Sequence, residues 1–215
     1  MTSTSQQPAA TPADQTRATA DFWFDPLCPW AWLTSRWMTE VEQVREVDVR
    51  WHVMSLAILN DVPDHDEPGR RAADGAWGPV RVVAAAQRAH GDAVVKPLYD
   101  AIGARLHPGG RSDRAAVLVE ALAEVGLPAE LADAAGSSAH DDLVRASHAG
   151  AIERVGNDVG TPVVGLAGGA FFGPVMTPAP RGEEAGRLWD GLALITSVPG
   201  VYEIKRGRTA GPVFD

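Results

Sequence analysis

The hydrophobic pattern at the start of the chain changes from an apolar run to a helical period and then to alternation. Asp21 to Asp25 is a short aromatic run that ends at Pro26, which predicts a buried strand. After Cys28-Pro29, apolar residues recur at helical spacing as far as Val44. Val47 to Met54 then alternates between apolar and polar residues and predicts a second strand. Strand, helix and strand in this order favour a parallel crossover connection.

The middle of the chain has helical periodicity. A polar stretch rich in proline and glycine, residues 60–75, predicts a loop before it. A helical pattern then runs from Trp77 to about Leu106, and two shorter helices are expected at 113–125 and 128–135. Ser138 to Asp141 resembles a capping box that opens a helix ending near Val155. Residues 63–155 are therefore predicted to form an all-helical lobe.

Strand character returns after this lobe. Two apolar runs, 161–166 and 170–172, flank Gly168-Gly169 and predict a hairpin. Arg181 to Thr196 predicts a final helix, with Leu188, Leu192 and Ile195 facing inward and Trp189 beside them, and 201–215 forms a tail of undefined structure. The predicted fold class is α/β. One layer with a mixed sheet, residues 19–62 and 156–215, is interrupted by the helical lobe, and residues 1–18 are expected to be a disordered arm.

Composition excludes several functional classes. The chain has 215 residues, of which 45% are hydrophobic, so it can bury one sizeable core. A net charge of -9 argues against a nucleic-acid or anionic-membrane partner. The single cysteine excludes an intramolecular disulfide. Neither a long apolar run nor an export signal is visible, so we expect a cytoplasmic protein.

Cys28 is the main candidate for chemistry. It precedes Pro29 at a predicted strand-to-helix junction, where exposed N–H groups and the helix dipole stabilise a thiolate. Trp30 offers a flat apolar face beside the sulfur, whereas a nearby Asp25 carboxylate opposes thiolate formation. Two interpretations follow from the residues alone: a reactive thiol, or a buried cysteine that only packs.

Other candidates are weaker. Pro162 begins an apolar strand after Thr161, which suits either a cis bond beside a site or an ordinary trans bond. His107 follows a predicted helix end, where it either partners the helix dipole or lies over a site between two lobes. His65, in an acidic run at 64–67, fits a solvated loop better than a metal site. No dinucleotide-binding fingerprint is present, and no metal site is expected.

Taken together, four segments resemble one family. Asp21 to Trp32, His52 to Asn60, Trp77 to Arg81 and Ala170 to Asp190 are similar, in this order, to DsbA-like members of the thioredoxin superfamily, and most of all to actinobacterial mycothiol-dependent nitroreductases. The resemblance implies a thioredoxin-like fold with an inserted helical lobe and no tightly bound cofactor. It implies Cys28 as nucleophile, Pro162 as a cis-proline and the Thr161 backbone as partner of a bound thiol. Trp30, Asn60 and His107 would line the pocket.

Ala31 is a departure from this family. The family motif is Cys-Pro-Trp-Cys, and here alanine takes the last position, with no other cysteine to replace it. A mixed disulfide on Cys28 therefore cannot be resolved internally. Three interpretations fit: an engineered change that traps the mixed disulfide, a natural monothiol enzyme that uses a second mycothiol molecule, or a protein that has lost redox turnover.

The resemblance leads to a function hypothesis with two rivals. We expect a thiol-dependent oxidoreductase with mycothiol as co-substrate, a small-molecule or disulfide acceptor, and a separate NADPH-dependent reductase as electron source. One alternative is a kappa-type thiol transferase or isomerase, in which a bound small thiol does the chemistry. The other is a non-catalytic module that binds a thiol or peptide. The oligomeric state is not defined by the sequence.

Overall fold

The computed structural model describes residues 17–62 and 75–214. The predicted N-terminal arm lies outside this range apart from its last two residues, and strand β1 already begins at Ala18. His65 and most of the predicted loop at 60–75 also lie outside the described residues. None of the helices in the described part of the chain combines the length and the apolar character needed to span a bilayer.

A four-stranded mixed sheet forms the centre of the fold. The strands are β1 (Ala18–Phe24), β2 (Val47–Val53), β3 (Val163–Leu166) and β4 (Gly169–Phe172), in the spatial order β2-β1-β3-β4. β1 runs parallel to β2 and antiparallel to β3, and β3 and β4 form the predicted hairpin. The parallel crossover and the mixed sheet are both confirmed. The tight turn falls at Ala167-Gly168, because Leu166 pairs with Gly169.

Two helices pack together beside this sheet. Helix α1 (Pro29–Val44) and helix α7 (Gly182–Thr196) meet where the Trp37 indole N–H donates to the Ala185 carbonyl at 3.0 Å. Ala185 and Trp189 are buried, whereas Leu188 is 37% exposed. The prediction that Leu188 faces inward is therefore wrong. The small Ala185 side chain lets Trp37 approach the α7 backbone, and this contact fixes which face of the helix is buried.

The lobe between β2 and β3 is helical, with short irregular pieces. Its helices are α2 (Leu56–Leu59), α3 (Gly78–His90), α4 (Val95–Leu106), α5 (Arg114–Glu124) and α6 (Asp141–Val155). The single pattern predicted from Trp77 to Leu106 is two helices, because Gly91 with φ +82 ends α3 and a 3-10 turn, Asp92–Val94, follows.

Two further predictions in the lobe need correction. The segment predicted as a helix at 128–135 is a 3-10 helix, Ala129–Gly136, between Pro128 and Ser137. The predicted capping box at Ser138 does not form: Ser138–His140 is a 3-10 turn, the neighbouring Ser137 hydroxyl accepts from the Ala139 N–H at 3.2 Å, and α6 begins at Asp141. Short helices of this kind are decided by local hydrogen bonds, which periodicity does not detect.

The lobe and the sheet share one core beneath the candidate site. The Phe24 ring of β1 stacks on the Tyr99 ring of α4, with centroids 3.8 Å apart. Trp32 of α1 meets Tyr99 edge to face at 5.9 Å. Gly103 makes room for Trp32, because a Cβ at this position would lie 2.2 Å from the indole ring. This aromatic contact fixes helix α4 against the turn that carries Cys28.

Candidate functional site

Cys28 lies at the turn between β1 and α1. It is the N-cap of α1, with extended backbone angles of φ -84 and ψ 113, and Pro29 takes the first helical position. Its Sγ accepts the Ala31 N–H at 3.4 Å, so the sulfur satisfies one of the free donors of the helix N-terminus. The predicted position of Cys28 at a helix N-terminus is confirmed.

Thr161 and Pro162 face this turn from the other side. The Cys28 Sγ donates to the Thr161 carbonyl at 3.3 Å, although the residues are 133 positions apart in sequence. The Thr161–Pro162 peptide bond is cis, and β3 follows it directly at Val163. Thr161 is only 3% exposed, and its hydroxyl has no hydrogen-bond partner in the described part of the chain. The two strongest candidates of the sequence therefore meet.

The Cys28 thiol is protonated at neutral pH in this arrangement. The side chain is only 5% exposed, and this burial raises the pKa of the thiol above its ordinary value of 9.0. The Ala31 N–H opposes the rise, whereas the negative charge of Asp25 adds to it. Desolvation thus outweighs the stabilisation of a thiolate expected from the helix N-terminus. The S–H is free to donate to Thr161.

Asp25 is a buried carboxyl group three residues before Cys28. It is 1% exposed, and its two oxygens accept the Leu27 and Leu56 N–H groups, each at 2.8 Å. Burial raises the pKa of Asp25 to about 6, although both N–H groups act to lower it. Asp25 is therefore charged at neutral pH and becomes neutral in mild acid. It also ties the Cys28 turn to the start of α2.

His107 connects the helical lobe to the same turn. It follows α4, and its Nε2 lies 3.0 Å from the Pro26 carbonyl oxygen. A carbonyl only accepts, so Nε2 carries the proton. Burial lowers the pKa of His107 to about 4, so the ring is neutral at neutral pH and is not a charged partner of the α4 dipole. Its ring centroid lies 5.8 Å from that of Trp32.

Ala31 and Asn60 complete the set of sequence candidates. Ala31 is fully buried, and its N–H is the group that contacts the Cys28 sulfur. Asn60 is exposed and follows α2, where its amide donates to the Leu56 carbonyl at 2.7 Å. The amide is thus directed to its own helix. The structure brings Cys28, Thr161 and His107 around one turn, with Asn60 at the far end of a short neighbouring helix.

Residues of the C-terminal tail also reach the site, which sequence reasoning did not anticipate. The guanidinium carbon of Arg208 lies 5.1 Å from the centroid of the Trp30 ring. The Phe214 ring lies 5.8 Å from the His107 ring. The Val213 N–H donates to the Thr177 hydroxyl at 2.8 Å and fixes the end of the tail. The signals in the sequence were a large apolar residue close to the C-terminus and a basic run at 205–208.

A cleft elsewhere in the fold is bordered by residues of β1, β2 and the helical lobe. It has a volume of about 410 Å³ and is lined mainly by Trp23, His52, Gln87, Asp92 and Ser147. Its polar groups bond to the protein: His52 to Asp21, Gln87 to Asp92, and Ser147 to the Val53 carbonyl. No group of three or more His, Cys, Asp or Glu side chains in residues 17–62 and 75–214 is arranged to hold a metal ion. Cys28 therefore remains the candidate centre for chemistry among the described residues.

Solved structures share this architecture. The probable DsbA oxidoreductase SCO1869 from Streptomyces coelicolor superimposes with a TM-score of 0.55 at 18% identity, covering 89% of this chain and 94% of that one. A 2-hydroxychromene-2-carboxylate isomerase superimposes with a TM-score of 0.51 at 17% identity, covering 82% and 94%. At these identities the likeness shows the fold alone. The predicted DsbA-like thioredoxin fold is confirmed, and it is shared by an oxidoreductase and an isomerase.

Sequence comparisons identify the family. Residues 27–206 match the model of the Rv2466c-like family, described as mycothiol-dependent nitroreductase Rv2466c. A relative from Mycobacterium tuberculosis, uncharacterized protein Rv2286c, is 35% identical over 198 residues, which are 91% of this chain and 84% of the relative. The family match includes the Cys28 turn, the helical lobe and the Thr161–Pro162 segment. The chain therefore belongs to the Rv2466c-like family of mycothiol-dependent nitroreductases.

Proposed function

We propose that this protein is a thiol-dependent oxidoreductase in which Cys28 forms a mixed disulfide and an external thiol, mycothiol, releases it. The observation that carries the proposal is the position of the Cys28 sulfur between the Ala31 N–H, at 3.4 Å, and the Thr161 carbonyl, at 3.3 Å. A sulfur at a helix N-terminus has a donor for the negative charge that develops when it attacks. Membership of the family supports mycothiol as the thiol.

The proposed cycle has two exchange steps. The Cys28 thiol loses its proton and attacks one sulfur of an acceptor disulfide; the Cys28–sulfur bond forms, the acceptor S–S bond breaks, and one half leaves as a thiolate that takes up a proton. Mycothiol then attacks the mixed disulfide, which regenerates Cys28 and releases the other half joined to mycothiol. A separate NADPH-dependent reductase would return that product to the thiol state.

Ala31 explains why the second step uses an external thiol. The side chain is fully buried beside Cys28, where the family motif has its second cysteine. The chain contains one cysteine, so no sulfur of its own can displace the mixed disulfide. The proposal is thus a monothiol enzyme. An aromatic acceptor, including a nitroaromatic by family analogy, would lie against Trp30, and Asn60 and His107 would border the same pocket.

Intact mass spectrometry tests the proposal directly. The protein is exposed briefly at neutral pH to mycothiol disulfide, with glutathione disulfide as comparison. We expect one adduct, preferentially with mycothiol, that persists until more thiol is added, and no adduct with Cys28→Ser. Ala31→Cys is the matched variant: the adduct should disappear as an internal disulfide forms. Failure of the unmodified protein to form any adduct would contradict the proposal.

One observation favours a second candidate function. Burial raises the pKa of Cys28, which suits a thiol that assists rather than attacks. A kappa-type transferase or isomerase would use the bound small thiol as its nucleophile. In that case Cys28→Ser would retain turnover, and the products would show conjugation or isomerisation without net oxidation. If both the unmodified protein and Cys28→Ser bind a thiol but neither shows turnover, the protein is a non-catalytic module.

A further inference from the structure

The C-terminal tail borders the Cys28 turn at two places. Arg208 lies over Trp30, two residues after Cys28, at 5.1 Å from the ring centroid. Phe214 lies beside His107, whose Nε2 donates to the Pro26 carbonyl two residues before Cys28. Residues 208–214 therefore pass along the side of the site that Trp30 and His107 form.

Arg208 has no ion-pair partner among the described residues. In the described part of the chain, Lys205, Arg206 and Arg208 make no ion pair, and all three are exposed. By contrast, Arg45, which follows the last residue of α1, is paired with both Glu183 and Asp190. The whole chain has a net charge of -9, so a basic group beside the site is the feature there that would attract an anionic acceptor.

The chemistry of Arg208 and Trp30 together selects one kind of partner. The indole of Trp30 is half-buried and offers an apolar surface to a planar ring. The guanidinium group is a rigid fork of donors that matches the two oxygens of a carboxylate. A ring that packs against the exposed part of Trp30, beside Arg208, and carries an anionic substituent can contact both groups at once.

We infer that Arg208 is a specificity-determining residue that favours aromatic acceptors carrying an anionic group for reaction at Cys28. The inference rests on the proposed function, because it takes Cys28 as the nucleophile. Arg208 lies just beyond the matched residues 27–206.

Two aromatic disulfides provide the test. In 5,5′-dithiobis(2-nitrobenzoate) each ring carries a carboxylate, whereas 4,4′-dithiodipyridine is neutral. Cys28, the only cysteine, attacks a sulfur of either reagent, forms a mixed disulfide and releases one aromatic thiolate or thione, whose absorbance gives the rate. The variants are Arg208→Gln and, as a matched control with the same loss of charge, Arg206→Gln, for which no contact with Trp30 is found among the described residues.

We expect Arg208→Gln to lower the second-order rate constant with the carboxylated reagent by about 3- to 10-fold, as for one partly screened charge pair. The rate with the neutral reagent should change by less than about twofold, and Arg206→Gln should affect both reagents to that small extent. High salt should reduce the difference between the two reagents. Equal changes with both reagents, no change, or the same change in both variants would overturn the inference.

The neutral reagent separates this inference from the proposed function. If the unmodified protein reacts with 4,4′-dithiodipyridine but Arg208→Gln leaves the carboxylated reagent unaffected, the inference fails and Cys28 remains a nucleophile. If neither reagent reacts with Cys28, the proposed function and the inference both fail.

Discussion

Replacing Asp25 with asparagine should remove a large pH dependence from the stability of the fold. The pKa of Asp25 is raised from its ordinary value of 3.8 to about 6 by burial, with both oxygens bonded to the Leu27 and Leu56 N–H groups. Each pKa unit corresponds to about 1.4 kcal/mol of preference between the two protonation states. The rise thus costs the folded state about 3 kcal/mol when Asp25 is charged.

The sign follows from the order of the two pKa values. Well below pH 3.8 the carboxyl is protonated in both the folded and the unfolded state, and its favourable contribution to stability is fully present. Between the unfolded value of 3.8 and the folded value of about 6, the folded protein binds more protons, so the free energy of unfolding falls as pH rises. Above this window both states are charged and the dependence ends.

Asparagine keeps the shape of the side chain but does not titrate. Its amide oxygen can still accept a hydrogen bond from one of the two backbone N–H groups. The amide nitrogen cannot accept from the other N–H, and leaving that donor unpaired costs about 1 to 3 kcal/mol at every pH. The prediction therefore concerns the difference between the two proteins as a function of pH. We expect the unmodified protein to lose about 3 kcal/mol relative to Asp25→Asn between about pH 3 and pH 7.

Denaturant titration followed by tryptophan fluorescence measures this, since the chain has seven tryptophans. Asp190→Asn is the control, because the pKa of Asp190 is lowered by its hydrogen bonds with Arg45. Replacing the Asp190 carboxylate should change the pH dependence in the opposite direction, because the unmodified protein gains stability relative to Asp190→Asn as pH rises. If the difference between the unmodified protein and Asp25→Asn stays constant within about 1 kcal/mol across this range, the assigned charge burial at Asp25 is wrong.

Two further predictions concern the thiol and its supporting core. Because burial raises the pKa of Cys28, iodoacetamide should alkylate it more slowly at neutral pH than it alkylates a free cysteine. The alkylation rate should rise about tenfold per pH unit to beyond pH 9. A rate that levels off near neutral pH would contradict this prediction. Gly103→Ala would place a Cβ 2.2 Å from the Trp32 ring and should destabilise the fold by about 1 to 3 kcal/mol. Gly150 lies on helix α6 with open space around it, so Gly150→Ala should stabilise the fold by about 0.5 to 1 kcal/mol. The same denaturant titration measures both effects. Equal effects of the two substitutions would refute the packing argument.

Local patterns determined much of the architecture. Two strands were predicted, from the alternation at Val47–Val53 and from the aromatic run before Pro26. A helix N-terminus was predicted at Cys28-Pro29. These predictions succeeded because the period of a strand and the preference of proline for the first helical position depend only on neighbours in the sequence. The hairpin around Gly168 was predicted for the same reason. Prediction failed at Leu188, whose burial depends on where α7 meets Trp37, a residue about 150 positions away.

The site shows the same division between local and non-local information. The sequence alone indicated Cys28 as the centre of the chemistry, proposed Thr161 and Pro162 near it, and showed that Ala31 leaves no second thiol. Only the tertiary structure decided that burial raises the pKa of the Cys28 thiol above its ordinary value, and brought the Thr161 carbonyl to 3.3 Å from the sulfur. It also placed Arg208 over Trp30. The physical reason is that desolvation, charge and contact across more than 100 residues depend on the whole chain being folded, whereas residue type and periodicity are already present in the unfolded sequence.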